Sequence, residues 1–325
     1  MSTKRMSFGQ ATVDATRFAM RQDERIIVLG EDISWGGNFG QFRGLLEEFG
    51  PKRVIDMPIS EAAIMSVSLG AAVTGLRPVA SMSFVEFTFG AMDEIVNQVA
   101  KFRYMFGGQT SVPIVLRASD GTMRCSASHH SSSLEVRFAH MPGLKVVAPS
   151  NAADAKGLLR SAIADDDPVV YLENKQMTAK RAPVPEDDYN VPLGSATIAR
   201  PGRDVTIITY SIPALRALEA CAQLEAKGID AGVIDLRSLV PLDMTTVLET
   251  VAQTRLAVVV HEAWRFGGLG AEIASQITEA LFKELVAPVA RVGAASAPIP
   301  FSPPLEAAVV PGVSDIVAAV ERVIG

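Results

Sequence analysis

Residues 54–83 read VIDMPISEAAIMSVSLGAAVTGLRPVASMS, and this stretch sets the expected fold of the first half of the chain. Short strand-like runs at 54–55 and 78–83 flank an apolar segment, 61–73, that is long enough for a helix. The turn-forming stretch 56–58 separates the first run from the helix. A strand, a helix and a strand in this order predict two parallel strands joined by a crossover helix.

The same alternation continues along nearly the whole chain. In the first half, further strands are predicted at 26–29, 113–117, 145–148 and 169–172, and further helices at 8–21, 91–102 and 152–163. In the second half, strands are predicted at 205–209, 231–235, 256–260 and 289–292, and helices at 213–227, 244–254, 270–285 and 314–323. Ser150 and Asn151 are candidate N-caps of the helix at 152–163. The pattern predicts two α/β domains.

Residues 174–203 interrupt this alternation. They contain four prolines and the acidic cluster 186–188, which is typical of a linker. We therefore expect a first domain at 1–180, a linker at 181–203 and a second domain at 204–325.

Composition narrows the functional classes. Of 325 residues, 48% are hydrophobic and 20% are charged, and the mean hydropathy of +0.24 excludes intrinsic disorder. The formal net charge of −6 is spread without long blocks of one sign, which argues against nucleic acid as the main ligand. Charged residues interrupt every long apolar stretch, so no membrane span is predicted. The apolar surplus predicts a subunit interface.

Cysteine usage and the N-terminal residues indicate a compartment. The two cysteines, Cys125 and Cys221, form no C-x-x-C motif, so the sequence signals neither a disulfide framework nor a zinc ribbon. Residues 1–10 contain no apolar stretch typical of a secretory signal. We expect a reducing cytoplasm.

A carboxylate at the start of the helix at 61–73 has two interpretations. Glu61 follows Ser60 and lies in the first helical turn, where a negative charge stabilises the free amides of the helix. The same position, at a strand-to-helix junction of an α/β domain, is where such sheets place ligands. Glu61 could therefore also exchange a proton with a bound heterocycle.

The polar segment 124–133 holds two of the four histidines. Cys125, His129, His130 and His140 lack zinc-ligand spacing, so a catalytic or substrate-contacting imidazole is favoured over a metal site. No G-x-S-x-G motif accompanies the serines, which argues against an acyl hydrolase.

Two further patterns have structural interpretations. The glycine-rich stretch 267–270 follows a predicted strand, but the third glycine of a dinucleotide loop would fall on Ile273, so tight packing of a turn is the better interpretation. Phe84, Phe87 and Phe89 follow the strand at 78–83. Core packing is the default for such rings, whereas an exposed ring could stack on a planar ligand.

Taken together, segments spread in order through the chain resemble the β subunit of the thiamine-diphosphate-dependent first component of 2-oxo acid dehydrogenase complexes, including the pyruvate, branched-chain and acetoin types. The matching segments are GED at 30–32, DMPISE at 56–61, GLRP at 75–78, NQVAKFRYMFGG at 97–108, HS at 130–131, PGLKVV at 142–147, DAKGLL at 154–159, DPVV at 167–170, HEA at 261–263 and PFS at 300–302. The resemblance implies a transketolase-like pyrimidine-binding domain, built as a parallel sheet with helices on both faces, followed by a transketolase C-terminal α/β domain.

The resemblance also implies residue roles. Glu61 matches the carboxylate that hydrogen-bonds the aminopyrimidine ring of the cofactor and so promotes removal of the thiazolium proton. Phe87 matches the aromatic residue that stacks on the pyrimidine, and His130 the histidine that assists acyl transfer to the lipoyl group. His129 and Ser132 stand where the family often has Gln, which leaves the substrate open.

Metal sites are implied in the same way. Members of the family bind a potassium ion largely through backbone carbonyl groups. The residues at the matching positions of this chain are Ile114, Ala162, Ile163, Asp165 and Asp167. The diphosphate-and-magnesium motif, Gly-Asp-Gly followed by paired Asn, is absent from this chain, and the family carries it on a separate α subunit. The implied enzyme therefore contains two α and two β chains docked on a dihydrolipoyl acyltransferase core.

The sequence is compatible with three functions. The first is a dehydrogenase β subunit that decarboxylates a 2-oxo acid, or cleaves acetoin, and acylates lipoamide. The second is half of a split transketolase or deoxyxylulose-phosphate-synthase-like enzyme that acts on sugar phosphates. The third is a non-catalytic scaffold, which the presence of Glu61, Phe87 and His130 argues against.

Overall fold

The computed structural model describes residues 2–123 and 125–325, so Met1 and Arg124 lie outside the described residues. The chain divides into two compact units. The first unit comprises Met1–Asp120 and Arg137–Leu193, and the second comprises Gly121–Val136 and Gly194–Gly325. Among the described residues, no helix has both the length and the apolar character needed to cross a membrane.

The first unit alternates strands and helices as the sequence predicts. Its strands are β1 (Thr3–Ser7), β2 (Ile26–Gly30), β3 (Val54–Asp56), β4 (Arg77–Phe84), β5 (Val115–Asp120), β6 (Lys145–Val147), β7 (Val169–Asn174) and β8 (Arg181–Pro185). The helices from this part of the chain are α1 (Phe8–Gln22), α2 (Leu45–Phe49), α3 (Glu61–Val73), α4 (Ala100–Met105), α5 (Glu135–Ala139) and α6 (Ala152–Ala164).

A parallel sheet forms the core of the first unit. Its strands are ordered β6-β7-β5-β4-β2-β3, and each neighbouring pair is parallel. Every residue of β2, β5 and β7 is buried, as expected for a parallel sheet whose two faces are both covered by helices. The crossover from β3 through α3 to β4 is the unit that residues 54–83 predicted.

The second unit is a separate α/β fold. Its strands are β9 (Thr197–Arg200), β10 (Val205–Thr209), β11 (Ala231–Asp235), β12 (Ser238–Val240), β13 (Ala257–Trp264) and β14 (Ala290–Ala294). Its helices are α7 (Ile212–Glu225), α8 (Met244–Thr254), α9 (Leu269–Leu281), α10 (Pro303–Val309) and α11 (Val313–Ile324). The sheet order is β14-β13-β10-β11-β9, parallel except for β9, and α7 packs against α11.

The structure differs from the sequence-based expectation in several elements. Five short elements were not predicted, namely β1, β12, α2, α5 and α10, and two predicted segments have a different structure. The interval expected as a linker contains β8, which pairs antiparallel with β1, and also β9. The prolines of β8 are tolerated because an edge strand does not need every amide in its ladder. The helix predicted at 91–102 is instead a π-helical turn, Glu94–Val99, that continues into α4.

Candidate active site

Glu61 is the first residue of α3 and is half-buried. The chain approaches it from β3, whose last residue, Asp56, lies beside Gly30 of β2, and the Met57 amide donates to the Gly30 carbonyl at 2.9 Å. Ser60 is extended at the N-cap position, but its hydroxyl makes no capping hydrogen bond. Glu61 therefore lies where the carboxyl ends of two parallel strands meet, the position at which such sheets bind ligands.

A second carboxylate, Glu31, directly follows β2. Burial raises the pKa of Glu31, and the negative charges of Glu61 and Asp32 raise it further. The first domain thus brings two mutually repelling carboxylates to one end of its sheet, which favours retention of a proton there. Glu31 is not among the site residues predicted from the sequence, although its place immediately after a buried strand is a signal that could have identified it.

The space beside Glu61 is bounded by Gly90. A Cβ atom added at Gly90 would lie 3.4 Å from Oε2 of Glu61. Gly90 belongs to the 3₁₀ turn Val85–Ala91, which packs against α3. Glycine at this position leaves the Glu61 carboxylate room for a partner.

Phe87 lies on the same turn and is half-buried. Its ring packs edge-to-face against Phe84, with 5.4 Å between centroids, and Phe84 in turn meets Phe39 at 5.6 Å. The contact with Phe84 therefore holds the orientation of the Phe87 ring, while part of the side chain stays accessible. Phe89 is more exposed and has the Arg137 guanidinium over its ring at 5.6 Å.

Glu61, Phe87 and Gly90 fit the pyrimidine end of thiamine diphosphate. A carboxylate at a strand-end junction can accept a hydrogen bond from a protonated ring nitrogen. A ring held by neighbouring aromatics can stack on a planar heterocycle. The gap at Gly90 supplies room next to the carboxylate.

His130 belongs to the second unit, in the 3₁₀ turn Ser128–His130. Its Nδ1 lies 2.6 Å from the His129 carbonyl oxygen. Because a carbonyl can only accept, this contact assigns the proton to Nδ1 and makes Nε2 the basic nitrogen. His129 is exposed, so the departure from the family at this position changes a solvent-facing side chain.

The positions matched to potassium lie in the first unit, at the start of β5 and around the end of α6. They are Ile114, Ala162, Ile163, Asp165 and Asp167. Arg77 donates to the carbonyl oxygens of Ile163, at 3.0 and 3.1 Å, and of Asp165, at 2.6 Å. Lys145 Nζ lies 2.7 Å from the Asp165 carboxylate. The Ile163 carbonyl therefore already accepts two hydrogen bonds from Arg77, and the potassium site stays a prediction.

Among residues 2–123 and 125–325, no group of three or more His, Cys, Asp or Glu side chains could hold a metal ion.

The glycine-rich stretch 267–270 packs tightly around His261, as the sequence predicted for this turn. A Cβ at Gly268 or Gly270 would approach the His261 ring to 2.6 Å, and one at Gly293 to 2.7 Å. The ring is fully buried, and its Nδ1 lies 3.0 Å from the Ala263 carbonyl. His261 is therefore a neutral core residue, and the neighbouring glycines leave room for its ring.

The buried imidazole predicts a specific pH dependence of stability. Burial lowers the pKa of His261 from 6.5 to about 4. The unfolded chain therefore binds a proton that the native chain does not between pH 6.5 and 4, and the free energy of unfolding falls over that interval by on the order of 3 kcal/mol. Denaturant titrations should show this slope, a His261→Gln variant should reduce it, and the same change at exposed His140 should not. An unchanged slope in His261→Gln would contradict the assignment.

Comparisons with known protein families match both halves of the chain. Residues 4–180 match the family described as "Transketolase, pyrimidine binding domain", and residues 194–316 match "Transketolase, C-terminal domain". These matches confirm the predicted fold class.

Curated relatives span nearly the whole chain. The chain is 42% identical to the Bacillus subtilis (strain 168) protein named "Acetoin:2,6-dichlorophenolindophenol oxidoreductase subunit beta", with 98% of this chain and 97% of the relative covered. It is 43% identical to "Pyruvate dehydrogenase E1 component subunit beta" of Rickettsia felis, with 97% of each covered. A solved structure described as "Split gene transketolase, inactive beta4 tetramer" is 26% identical, with a TM-score of 0.79 over 98% of both chains.

Proposed function

Since the chain belongs to the β-subunit family of the thiamine-diphosphate-dependent first component of 2-oxo acid and acetoin dehydrogenase complexes, we propose that it works with an α subunit. The assembled enzyme would contain two α and two β chains. It would transfer an acyl group from a 2-oxo acid or acetoin to lipoamide. The observation that carries this proposal is the placement of Glu61 at the start of α3, with Glu31 and Gly90 around its carboxylate. Thiamine diphosphate, when bound, supplies the carbon nucleophile and the electron sink.

The role of Glu61 is to hold a proton at the pyrimidine ring. Its carboxylate would accept a hydrogen bond from the protonated ring nitrogen and so favour the tautomer that acts as a base. Burial and the negative charge of Glu61 both raise the pKa of the neighbouring Glu31, so ionisation of Glu31 is disfavoured. Glu31 therefore limits the negative charge that builds up beside Glu61. Phe87 would orient the ring by stacking.

His130 would move a proton during acyl transfer to the lipoyl group. The His129 carbonyl fixes Nδ1 as the protonated nitrogen, which leaves Nε2 to take up or deliver the proton. Histidine is the side chain that enzymes use most often for such proton transfers.

The apolar surplus supports assembly with partner chains. Trp35 is 87% exposed and Ile59, two residues before Glu61, is 85% exposed. Tyr104, Met105 and Phe106 form a second exposed apolar run at 89%, 70% and 52%. Large apolar side chains in such runs mark interaction surfaces, so we assign them to contacts with α and β subunits.

The remaining parts of the proposal follow from the same family. The α subunit would hold magnesium and the diphosphate, and carbonyl groups around the end of α6 would hold a potassium ion. The assembled enzyme would dock on a dihydrolipoyl acyltransferase core. Both cysteines are free thiols, in keeping with a cytoplasmic enzyme.

Reconstitution tests the proposed function. The chain should be co-expressed with an α subunit that carries the Gly-Asp-Gly and Asn-Asn motif, and the complex assayed with pyruvate, branched-chain 2-oxo acids and acetoin. We expect lipoamide acylation with at least one of these, dependent on thiamine diphosphate, and none from the β chain alone. Condensation of sugar phosphates without lipoamide acylation would favour the transketolase alternative, which the 26% identity supports less than the 42 to 43% of the dehydrogenase relatives.

A further inference from the structure

His130 lies in a segment, Gly121–Val136, that packs with the second unit although β5 and β6, on either side of it in the chain, belong to the first. We call these residues the His130 segment. Within the segment, the Gly121 amide donates a hydrogen bond to the Ser132 carbonyl at 2.8 Å. Cys125 and Ala127 have φ values of 59° and 55°, conformations that persist only where surrounding contacts impose them. The segment therefore depends on anchors outside itself.

The first anchor is Glu262, on β13. Its Oε1 accepts a hydrogen bond from the Thr122 amide at 2.9 Å, and its Oε2 lies 3.0 Å from Nη2 of Arg216 on α7. The Glu262 side chain is only 4% exposed. Arg216 also donates to the Pro311 carbonyl at 3.0 Å. A buried carboxylate fixed by a guanidinium on one side thus holds the backbone at the start of the segment on the other.

The second anchor is Tyr210, which directly follows β10. Its hydroxyl donates to Oε1 of Glu135 at 2.6 Å, and both side chains are buried. Burial raises the pKa of Glu135, and the charge of Glu262 raises it further. The end of the segment is therefore held by a phenol and a carboxyl group that share a dry environment.

Two weaker contacts hold the middle of the segment. The Cys125 amide donates to Glu306 at 3.2 Å, and the Ser128 hydroxyl donates to the Ile299 carbonyl at 3.0 Å. Because Ser128 begins the turn that contains His130, the anchors lie on both sides of the imidazole in sequence.

We propose that Glu262 and Tyr210 are positioning residues that fix the His130 imidazole for acyl transfer by holding the two ends of the His130 segment on the second unit. The proposal rests on the function proposed above for His130. Both residues act through the segment's backbone and Glu135. A displacement of about 1 Å in a catalytic group can cost on the order of a hundredfold in rate, so a loosened segment has a measurable consequence.

The test compares two activities of the reconstituted α–β complex. Acylation of lipoamide would need His130, whereas reduction of the artificial electron acceptor 2,6-dichlorophenolindophenol withdraws electrons before the lipoyl group is involved. In Glu262→Ala and Tyr210→Phe we expect acylation to fall about tenfold or more, with dye reduction within about twofold of the parent. Glu262→Gln keeps an acceptor for the Thr122 amide and should restore most of the acylation that Glu262→Ala loses.

Two matched controls and one structural readout complete the design. Glu272→Ala and Glu272→Gln on α9 make the same two changes at an exposed glutamate and should affect neither activity. Hydrogen exchange should accelerate at the Thr122 amide in Glu262→Ala and be less affected in Glu262→Gln.

The outcomes separate this proposal from the one on which it rests. Equal loss of both activities, or undiminished acylation in both Glu262→Ala and Tyr210→Phe, overturns the positioning role. If Glu262→Ala does not fold, Tyr210→Phe decides alone by the same ratio. If His130→Asn itself leaves acylation unchanged, the role of His130 fails, whereas exchange at Thr122 still shows whether Glu262 tethers the segment.

Discussion

A Glu61→Gln substitution is expected to leave the α–β complex assembled and to lower its turnover by about a hundredfold or more. Gln has nearly the same shape as Glu and can still accept a hydrogen bond through its amide oxygen, but it cannot take up a proton at neutral pH. The space beside Gly90 remains unchanged, so the cofactor should still bind. The loss should appear in kcat more than in KM, because the missing interaction belongs to the proton-transfer step.

Glu272→Gln is the matched control for the helix-start interpretation of Glu61. Glu272 also lies in the first turn of its helix, α9, and is exposed. Loss of a first-turn charge costs only a few tenths to about 1 kcal/mol, so Glu272→Gln should retain full turnover. Undiminished turnover in a folded Glu61→Gln complex would refute the catalytic assignment and leave helix stabilisation as the role of Glu61.

Breaking the buried ion pair of the first unit is expected to give the largest loss of stability. Arg117 of β5 is 1% exposed and its Nη2 lies 2.5 Å from Oε1 of Glu173 on β7. Its guanidinium also lies 4.7 Å from the centre of the Phe42 ring. Arg117→Met leaves the Glu173 charge buried without its cation, so the free energy of unfolding should fall by about 3 to 5 kcal/mol in denaturant titrations.

The double variant Arg117→Met with Glu173→Leu distinguishes charge from packing. Replacing both charges with apolar side chains removes the uncompensated carboxylate, so most of the lost stability should return. Lys227→Met, which breaks the exposed pair with Glu321, serves as the surface control and should change stability far less. A double variant as unstable as Arg117→Met would show that the arginine contributes mainly through its packing on Phe42.

Much of the fold follows from sequence periodicity because the parallel strands in this chain are short, rich in apolar residues and separated by helix-length segments. The predicted bounds of α3, α8, β10 and β11 coincide with those of the structure. The pair of β1 and β8 could not be predicted in this way. These strands are partly exposed, β8 is proline-rich, and they pair across nearly the whole first unit in sequence.

The site was predictable only in part. Glu61, Phe87 and His130 were identified by resemblance, but their placement required the structure. The contribution of Glu31 depends on its closeness to Glu61 across two strand ends, which no local pattern reveals. Likewise, the Thr122 amide meets the Glu262 carboxylate from 140 residues away, so the attachment of the His130 segment is a property of the tertiary fold alone.

We propose that the Glu61 carboxylate of this chain promotes proton removal from thiamine diphosphate held jointly with the α subunit. The most direct test is the rate of deuterium exchange at the thiazolium C2 position of the bound cofactor, measured by acid quench and NMR. We predict rapid exchange in the parent complex, a decrease of about a hundredfold or more in Glu61→Gln, and the parent rate in Glu272→Gln. Equal exchange rates in the parent and Glu61→Gln complexes, both with cofactor bound, would contradict the claim.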